Sequence, residues 1–463
     1  MRLTTRTWIA LAVLVFAASF AIRAAAIRWF PQYDYHDDLE IYRASGALIA
    51  DGANPYDFAD HVPLRTELRM QAHNPEIRDL SQARWDYYVS GNLPMNVLFF
   101  GALSAIRDTP HFYRYVFGFF DSLLSTLVVW FVIRYWPPTP SWIGSTLSSA
   151  GMSSKASMFA GRFGIGLVLG CFSPVLFKHG AAIPEDKGIQ ILLMLAAIAC
   201  YMSSDERLWY WGGAALLGLS IAFKGLGIFL VPLFASRLLA KHDRVWARSF
   251  GFAAVCGVVA GVWLIPFGSS VAAMVRTRLM FGSTLPPQHA SIWVVPSMYL
   301  PSGWNVLRFG LLLAMLGAAL VGYRRKRVGL DMLCMTLLLG FTVVWLINGA
   351  LDRQNIALLL MLLLLGSRSP KAALVCLVPY LLAGFGGFVK HGIHGQPVNF
   401  EVRETLESIG ILLFTVVYLS ILGWFSLWSQ SFTLIHAPIA NSSATSSTPA
   451  GVTWVRVQRN RML

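Results

Sequence analysis

From residue 8 to about residue 428 the chain is a succession of apolar runs, many of them close to twenty residues long, separated by short polar breaks. A helix of about twenty apolar residues crosses the hydrocarbon core of a bilayer. Inside that core every backbone N–H and C=O must be bonded within the chain, and runs of this length satisfy that demand as helices. Composition agrees: 56% of the 463 residues are hydrophobic and 13% are charged, where soluble domains carry about 25% charged residues. The reading is an all-α polytopic membrane protein of about twelve transmembrane helices, eleven to thirteen, with a long first outer loop.

Candidate spans fall at 8–29, 113–135, 162–182, 187–203, 208–222, 225–239, 247–267, 305–323, 330–348, 354–366, 371–388 and 405–428. The segments 208–222, 225–239 and 354–366 are short for a crossing and are expected to be broken or tilted helices lining a cavity. Pro94 to Ile106 is too short to cross alone, which predicts a re-entrant or interfacial helix. The run from Trp8 to Phe30 follows a basic start and has the length of a full span. It is read as a retained helix and not a cleaved leader, despite the small residues Ala24-Ala25-Ala26 near its end. With the N-terminus inside, the inner breaks hold the basic excess, most plainly Arg324-Arg325-Lys326-Arg327, and the rest of the chain is nearly neutral. The formal charge of +14 is then topological and points to no nucleic acid. Residues 1–436 are expected to form the transmembrane domain and 437–463 a disordered tail rich in Ser and Thr. Cys171, Cys200, Cys256, Cys334 and Cys376 all fall in apolar runs, so neither a disulfide nor a metal cluster is expected.

Polar chemistry gathers in the outer loop 31–93, far longer than a connection requires. It opens with Tyr35-His36-Asp37-Asp38-Leu39-Glu40-Ile41-Tyr42 and continues to Gly52-Ala53-Asn54-Pro55-Tyr56. Ile41, Ala44, Leu48 and Ile49 recur at roughly helical spacing, which predicts an amphipathic helix at the membrane surface with the acidic cluster just before it. Gly52 and Asn54-Pro55 end that helix. The carboxylates lie at the water–lipid boundary, either as chemistry or as caps for the helix N-terminus. Asp121 lies inside the second span, where a carboxylate needs a cavity or a partner.

This pattern resembles the GT-C superfamily of membrane glycosyltransferases, which use polyprenyl-phosphate-linked sugars, and in particular its bacterial mannosyltransferase-like branch. That branch has an Asp-aromatic/apolar-x-apolar-Tyr element, here Asp38-Leu39-Glu40-Ile41-Tyr42, and a Gly-x-x-Pro-Tyr element, here Gly52 to Tyr56. A Tyr/Pro-rich element matches Tyr87-Tyr88 and Leu93-Pro94-Met95-Asn96. A looser likeness covers Ala222-Phe223-Lys224 and Leu230-Val231-Pro232-Leu233. The motifs are short, and their order and topology carry the likeness. Two departures stand out. The acidic position is a doublet, Asp37-Asp38, of which the tyrosine four residues on favours Asp38. The Gly-Gln element of the second outer loop is replaced by Lys178-His179-Gly180 and Pro184-Glu185-Asp186-Lys187-Gly188-Ile189-Gln190.

The resemblance implies an inverting transferase in a bacterial inner membrane, with both termini cytoplasmic and the active site outward. Its donor is a polyprenyl-phosphate sugar, mannose as the first candidate, and its acceptor a glycolipid or glycan. It uses no cofactor, and metal ligands are not expected. Phosphate leaves readily, so a single carboxylate suffices as general base on the acceptor hydroxyl, here Asp38 with Asp37 second. This differs from glycoside hydrolysis, which pairs two carboxylates. Negative charge developing on the phosphate asks for fixed cations: Lys224, Arg276, Arg278, His289 and Arg353 are the candidates, and Tyr42, Tyr56, Glu185 and Asp186 the candidates for substrate contact. The exposed-loop aromatics, Trp85 among them, are candidates for stacking on sugars or for an interface belt. The competing class is a membrane transporter or a flippase for lipid-linked sugars, in which internal repeats and midplane ion sites are common.

Overall fold

The computed structural model describes residues 4–135, 153–173, 184–203, 205–239 and 244–268, with isolated positions elsewhere. Among the described residues there is no strand. Three helical stretches among these residues are long and apolar enough to cross a membrane: Thr5–Trp29 (α1), Pro110–Arg134 within the helix Pro110–Tyr135 (α7), and Val245–Phe267, whose last turn is tightened. A fourth crossing is available if the helices Gln82–Val89 (α5) and Pro94–Ile106 (α6), bent by 92° at their junction, act together. The same bend suits a re-entrant loop, as the short run at Pro94 predicts. The spans read at 305–323, 330–348, 354–366, 371–388 and 405–428 lie largely outside the described residues.

Several boundaries differ from the hydropathy reading. The span placed at 162–182 is a helix over Ser154–Gly170 (α8), started by Ser153, whose hydroxyl accepts the Ala156 N–H. Its first turn holds Ser154, Lys155 and Ser157, which lower the hydropathy there without stopping the helix. The span at 187–203 is Lys187–Tyr201 (α9), 15 residues and mostly buried, so at 1.5 Å per residue it falls short of a bilayer. The segment 208–239 is broken, as expected. A π-turn at Leu208–Gly212 leads into Gly213–Lys224 (α10), Gly225 reverses the chain at φ +81°, and Leu226–Leu230 leads into Val231–Leu239 (α11). Glycine adopts that φ without the steric penalty other residues meet. The last described long helix begins at Val245 (α12, Val245–Gly261).

The largest revision concerns the loop 31–93. Its helix runs over Asp37–Ala50 (α2) and includes the acidic residues in its first turn. Its stripe of Ile41, Ala44 and Leu48 is covered by protein: Ala72, Ile77, Trp85 and Val89 pack on it. The other side carries Leu39 and Tyr42 into a core with Phe100, Leu103, Tyr113, Phe117, Ile189 and Phe223. Each such side chain stabilises the packing by about 1.5–3 kcal/mol. Gly46 and Gly101 let α2 and α6 touch, since a Cβ on Gly46 would lie 2.6 Å from the Phe100 carbonyl oxygen and one on Gly101 2.3 Å from Ile49. The amphipathic pattern was real, but the lipid face it suggested is occupied by the rest of the loop.

That loop is knit by Arg65, fully buried on the helix Val62–Gln71 (α3). Its guanidinium donates to the carbonyls of Asp60, Asn54 and Asp57 at 2.9, 2.8 and 3.0 Å and faces Asp86 at 3.5 Å. The Trp85 indole donates to the Arg65 carbonyl at 2.9 Å. Trp85 is therefore a core residue of the loop, not a sugar platform.

Candidate functional site

The first turn of α2 places three carboxylates where the helix dipole favours negative charge. Each is turned a different way. Glu40 is buried and accepts the backbone N–H groups of His73 and Asn74 at 2.7 and 3.1 Å, which ties α2 to its own loop. Asp37 accepts the Asp38 N–H at 2.9 Å, and its Oδ1 lies 2.7 Å from His36 Nδ1. Asp38 faces α9, with Oδ2 3.4 Å from Lys187 Nζ. One turn on, the Tyr42 hydroxyl donates to Asp186 Oδ1 at 3.0 Å.

The segment Glu185-Asp186-Lys187 opens α9 and answers α2 across the core. Glu185 Oε2 lies 2.6 Å from Lys187 Nζ. Asp186 is fully buried and collects four elements: it precedes α9 and receives Tyr42 from α2, Asn96 Nδ2 from α6 at 2.5 Å, and Lys224 Nζ from the end of α10 at 2.5 Å. Next to it Gln190 donates to Ser220 at 3.0 Å, linking α9 to α10 again. A buried carboxylate needs partners of this kind, because an unpaired one would cost several kcal/mol (an order-of-magnitude figure).

The charges tune one another. Burial of His36 opposes its protonation, but Asp37 beside it, with Glu185 and Asp38 nearby, outweighs this and raises its pKa above the usual value. Burial works against the Asp37 carboxylate too, and His36 with the Asp38 N–H overcomes it, so Asp37 titrates below the usual range. Burial, then the negative charges of Asp186 and Asp38, hold the Tyr42 hydroxyl well above its ordinary value. Tyr42 therefore stays a donor.

Five residues singled out from sequence meet here: Asp38, Tyr42, Glu185, Asp186 and Lys224. Asp37 adjoins them but turns to His36. Tyr56 does not join them; it is buried, donates to the Asn92 carbonyl at 2.7 Å and packs on Phe267. Arg276, Arg278, His289 and Arg353 lie outside the described residues. Lys187 and Asn96 were missed as site members. Each stands in a quoted motif, and the one available signal was polarity at the mouth of an apolar helix. The side chain of Asp38 is 33% exposed, against 9% for Lys187 and 8% for Glu185. Asp37, at 48%, and Asp38 are thus the open carboxylates of the cluster, and of the two Asp38 has the Lys187 ammonium alongside.

A second charged pair lies deeper. Asp121 of α7 faces Arg23 of α1 at 3.9 Å, both buried, and Arg23 Nη1 lies 2.5 Å from Ser19 Oγ. Among the described residues, Arg23 Nε and Nη2 and Asp121 Oδ2 have no hydrogen-bond partner. Asp121 also touches the site, because Gly188, next to Lys187, packs directly on its carboxylate. Past the end of α1 the two helices are joined again by Arg114, which donates to the Phe30 carbonyl at 2.9 Å and to Asp34 at 2.6 Å. Cys171, Cys200 and Cys256 are free thiols.

Comparison with protein-family models, with curated proteins and with solved structures finds no match to this chain.

Proposed function

We propose that this chain is an integral membrane glycosyltransferase of the GT-C kind, with about twelve spans, that moves a sugar from a polyprenyl-phosphate donor to a glycolipid or glycan acceptor at the outer face. Mannose is the first sugar to test. The observation that carries the reading is the meeting of Asp38, Glu185, Lys187, Asp186 and Lys224 at one place, from α2, the start of α9 and the end of α10, with Asp38 and Lys187 149 residues apart in the chain. Asp38 takes the proton from the acceptor hydroxyl as the oxygen attacks the anomeric carbon, the bond to phosphate breaks, and the configuration inverts. Lysines beside the carboxylates supply positive charge toward the departing phosphate.

Transport or flipping of a lipid-linked sugar is the second reading. The Arg23–Asp121 pair favours it, since buried charges inside a membrane often mark a pathway. One experiment separates the two. Purified protein in liposomes is given radiolabelled polyprenyl-phosphate sugars with a glycolipid acceptor. Labelled acceptor together with free lipid phosphate supports the transferase. Movement of intact donor between leaflets without transfer supports the flippase.

A further inference from the structure

The starts of two apolar helices meet in a basic patch that the proposed reaction does not use. The π-turn Leu208–Gly212 ahead of α10 packs on the first turns of α12: the Tyr210 hydroxyl donates to the Arg248 carbonyl at 2.6 Å, and the Tyr210 ring lies 5.8 Å from that of Phe252. Four arginines stand here, Arg207, Arg237, Arg244 and Arg248, against the carboxylates of Asp205 and Glu206, while Lys241 and Asp243 between them in the chain cancel in formal charge. Their duties differ. Arg237 donates to the carbonyls of Tyr201 and Ser203 and lies over Trp209 at 4.4 Å. Arg248 pairs with Glu206 and lies over the Tyr210 ring at 5.5 Å. Asp205 is turned to its own backbone and accepts the N–H groups of Arg207 and Leu208 at 2.9 and 3.2 Å. Arg207 and Arg244 are exposed and have no carboxylate partner among the described residues. Helical spacing sorts the rest. Arg244 and Arg248 lie one turn apart on the side of α12 that meets the π-turn. Trp246 and Phe250, again one turn apart, lie on the opposite side and are 89% and 77% exposed, and Leu208 and Trp211 of the π-turn are exposed as well. Large apolar side chains open at the end of a membrane-length helix belong at the headgroup level of a bilayer, where tryptophan collects.

We propose that this patch binds the headgroup of an anionic phospholipid, with Arg207 and Arg244 on its phosphate and the indoles of Trp211 and Trp246 in the adjoining boundary of the acyl layer. A guanidinium presents two parallel N–H groups to a phosphate, so two open arginines suit such a group better than two point charges would. The open indoles beside them select a lipid over a soluble anion, because a free phosphate brings nothing to cover apolar rings. The site lies in whichever leaflet meets the start of α12, and it stands independently of the sugar-transfer reading. A basic residue at such a surface strengthens the attraction of an anionic lipid by about fivefold.

The test is native mass spectrometry of the full-length protein released from nanodiscs that mix phosphatidylglycerol with phosphatidylcholine. Wild type should retain phosphatidylglycerol in preference, and Arg207→Gln/Arg244→Gln should lower that preference by about fivefold or more. The control is Arg6→Gln/Lys155→Gln, which removes the same charge from exposed positions at the starts of α1 and α8 and should leave the preference as it is. Equal losses in the two double variants would mean a diffuse attraction of lipid to a basic chain and would overturn the site, as would a wild type that retains both lipids alike. If the arginine double variant does not fold, Arg244→Gln alone decides on the same scale. The same spectra count protein copies. A dimer that separates in the arginine variant would mean that a second chain covers the patch, and the lipid site would fall.

Discussion

Gly188→Ala is a small change at a tight place. A Cβ there would lie 1.8 Å from Asp121 Oδ1 and 3.1 Å from the carboxylate carbon. An ordinary contact is on the order of 3.5 Å, so one side must retreat by roughly 1.7 Å. The carboxylate has little room to do so, because a Cβ on Gly180 would meet its other oxygen at 1.6 Å: two glycine backbones already flank it. Overpacking of this kind costs about 1–3 kcal/mol. The gain from replacing a helical glycine by alanine is about 0.5–1 kcal/mol, which offsets only part. Any loosening of the Arg23–Asp121 pair adds to the loss, since breaking a buried pair costs about 3–5 kcal/mol. The variant should therefore be less stable by about 1–3 kcal/mol, and transfer should fall because Lys187 and Glu185 are carried on the displaced turn. Thermal unfolding in detergent, read by intrinsic fluorescence, measures the first, and single-turnover transfer the second. A Gly188→Ala protein as stable as wild type would show that the carboxylate is not wedged as described.

Further outcomes follow from other contacts. Arg65→Met should loosen the loop 31–93 by about 3 kcal/mol or more, because three carbonyls and Asp86 lose their buried cation; limited proteolysis within 51–90 should speed up, and an unchanged digest would refute the knit. Lys224→Met should cost about 3 kcal/mol by leaving Asp186 with Tyr42 and Asn96 alone. Adding Asp186→Asn should recover part of that, and strictly additive losses would argue against the pair. The His36–Asp37 pair sets a pH window. The raised pKa of His36 gives a contribution that is full below its ordinary 6.5 and is lost as pH climbs through the folded value above it. The lowered pKa of Asp37 gives one present above its ordinary 3.8 and lost as pH falls through the folded value below it. Unfolding of wild type against His36→Gln should thus differ least at the alkaline and strongly acidic ends; a difference that persists at high pH would contradict the charged pair.

Much of this was legible in the chain because membranes force polar groups to declare themselves. Asp38, Tyr42, Glu185, Asp186 and Lys224 stood out at the ends of apolar runs, and the structure brings them together. What could not be read was which charge belongs to which. Lys187 looked like one more polar residue in a segment that departs from the pattern it resembles, and Arg23 was hidden in a run that otherwise reads as a plain span. Hydropathy could not see that α2 is roofed by its own loop, because burial by protein and burial by lipid leave the same pattern of apolar residues. Helix starts such as Ser154 were misplaced for the converse reason: a capped first turn is polar, and hydropathy takes it for a loop.

The decisive test of the proposed reaction centre is the rate of sugar transfer by purified Asp38→Asn, with folding checked against wild type. Loss of a general base lowers the rate by about 10²–10⁴-fold, and that loss is expected here with melting behaviour intact. Transfer near the wild-type rate would mean that Asp38 is not the base and that the carboxylate cluster serves some other purpose.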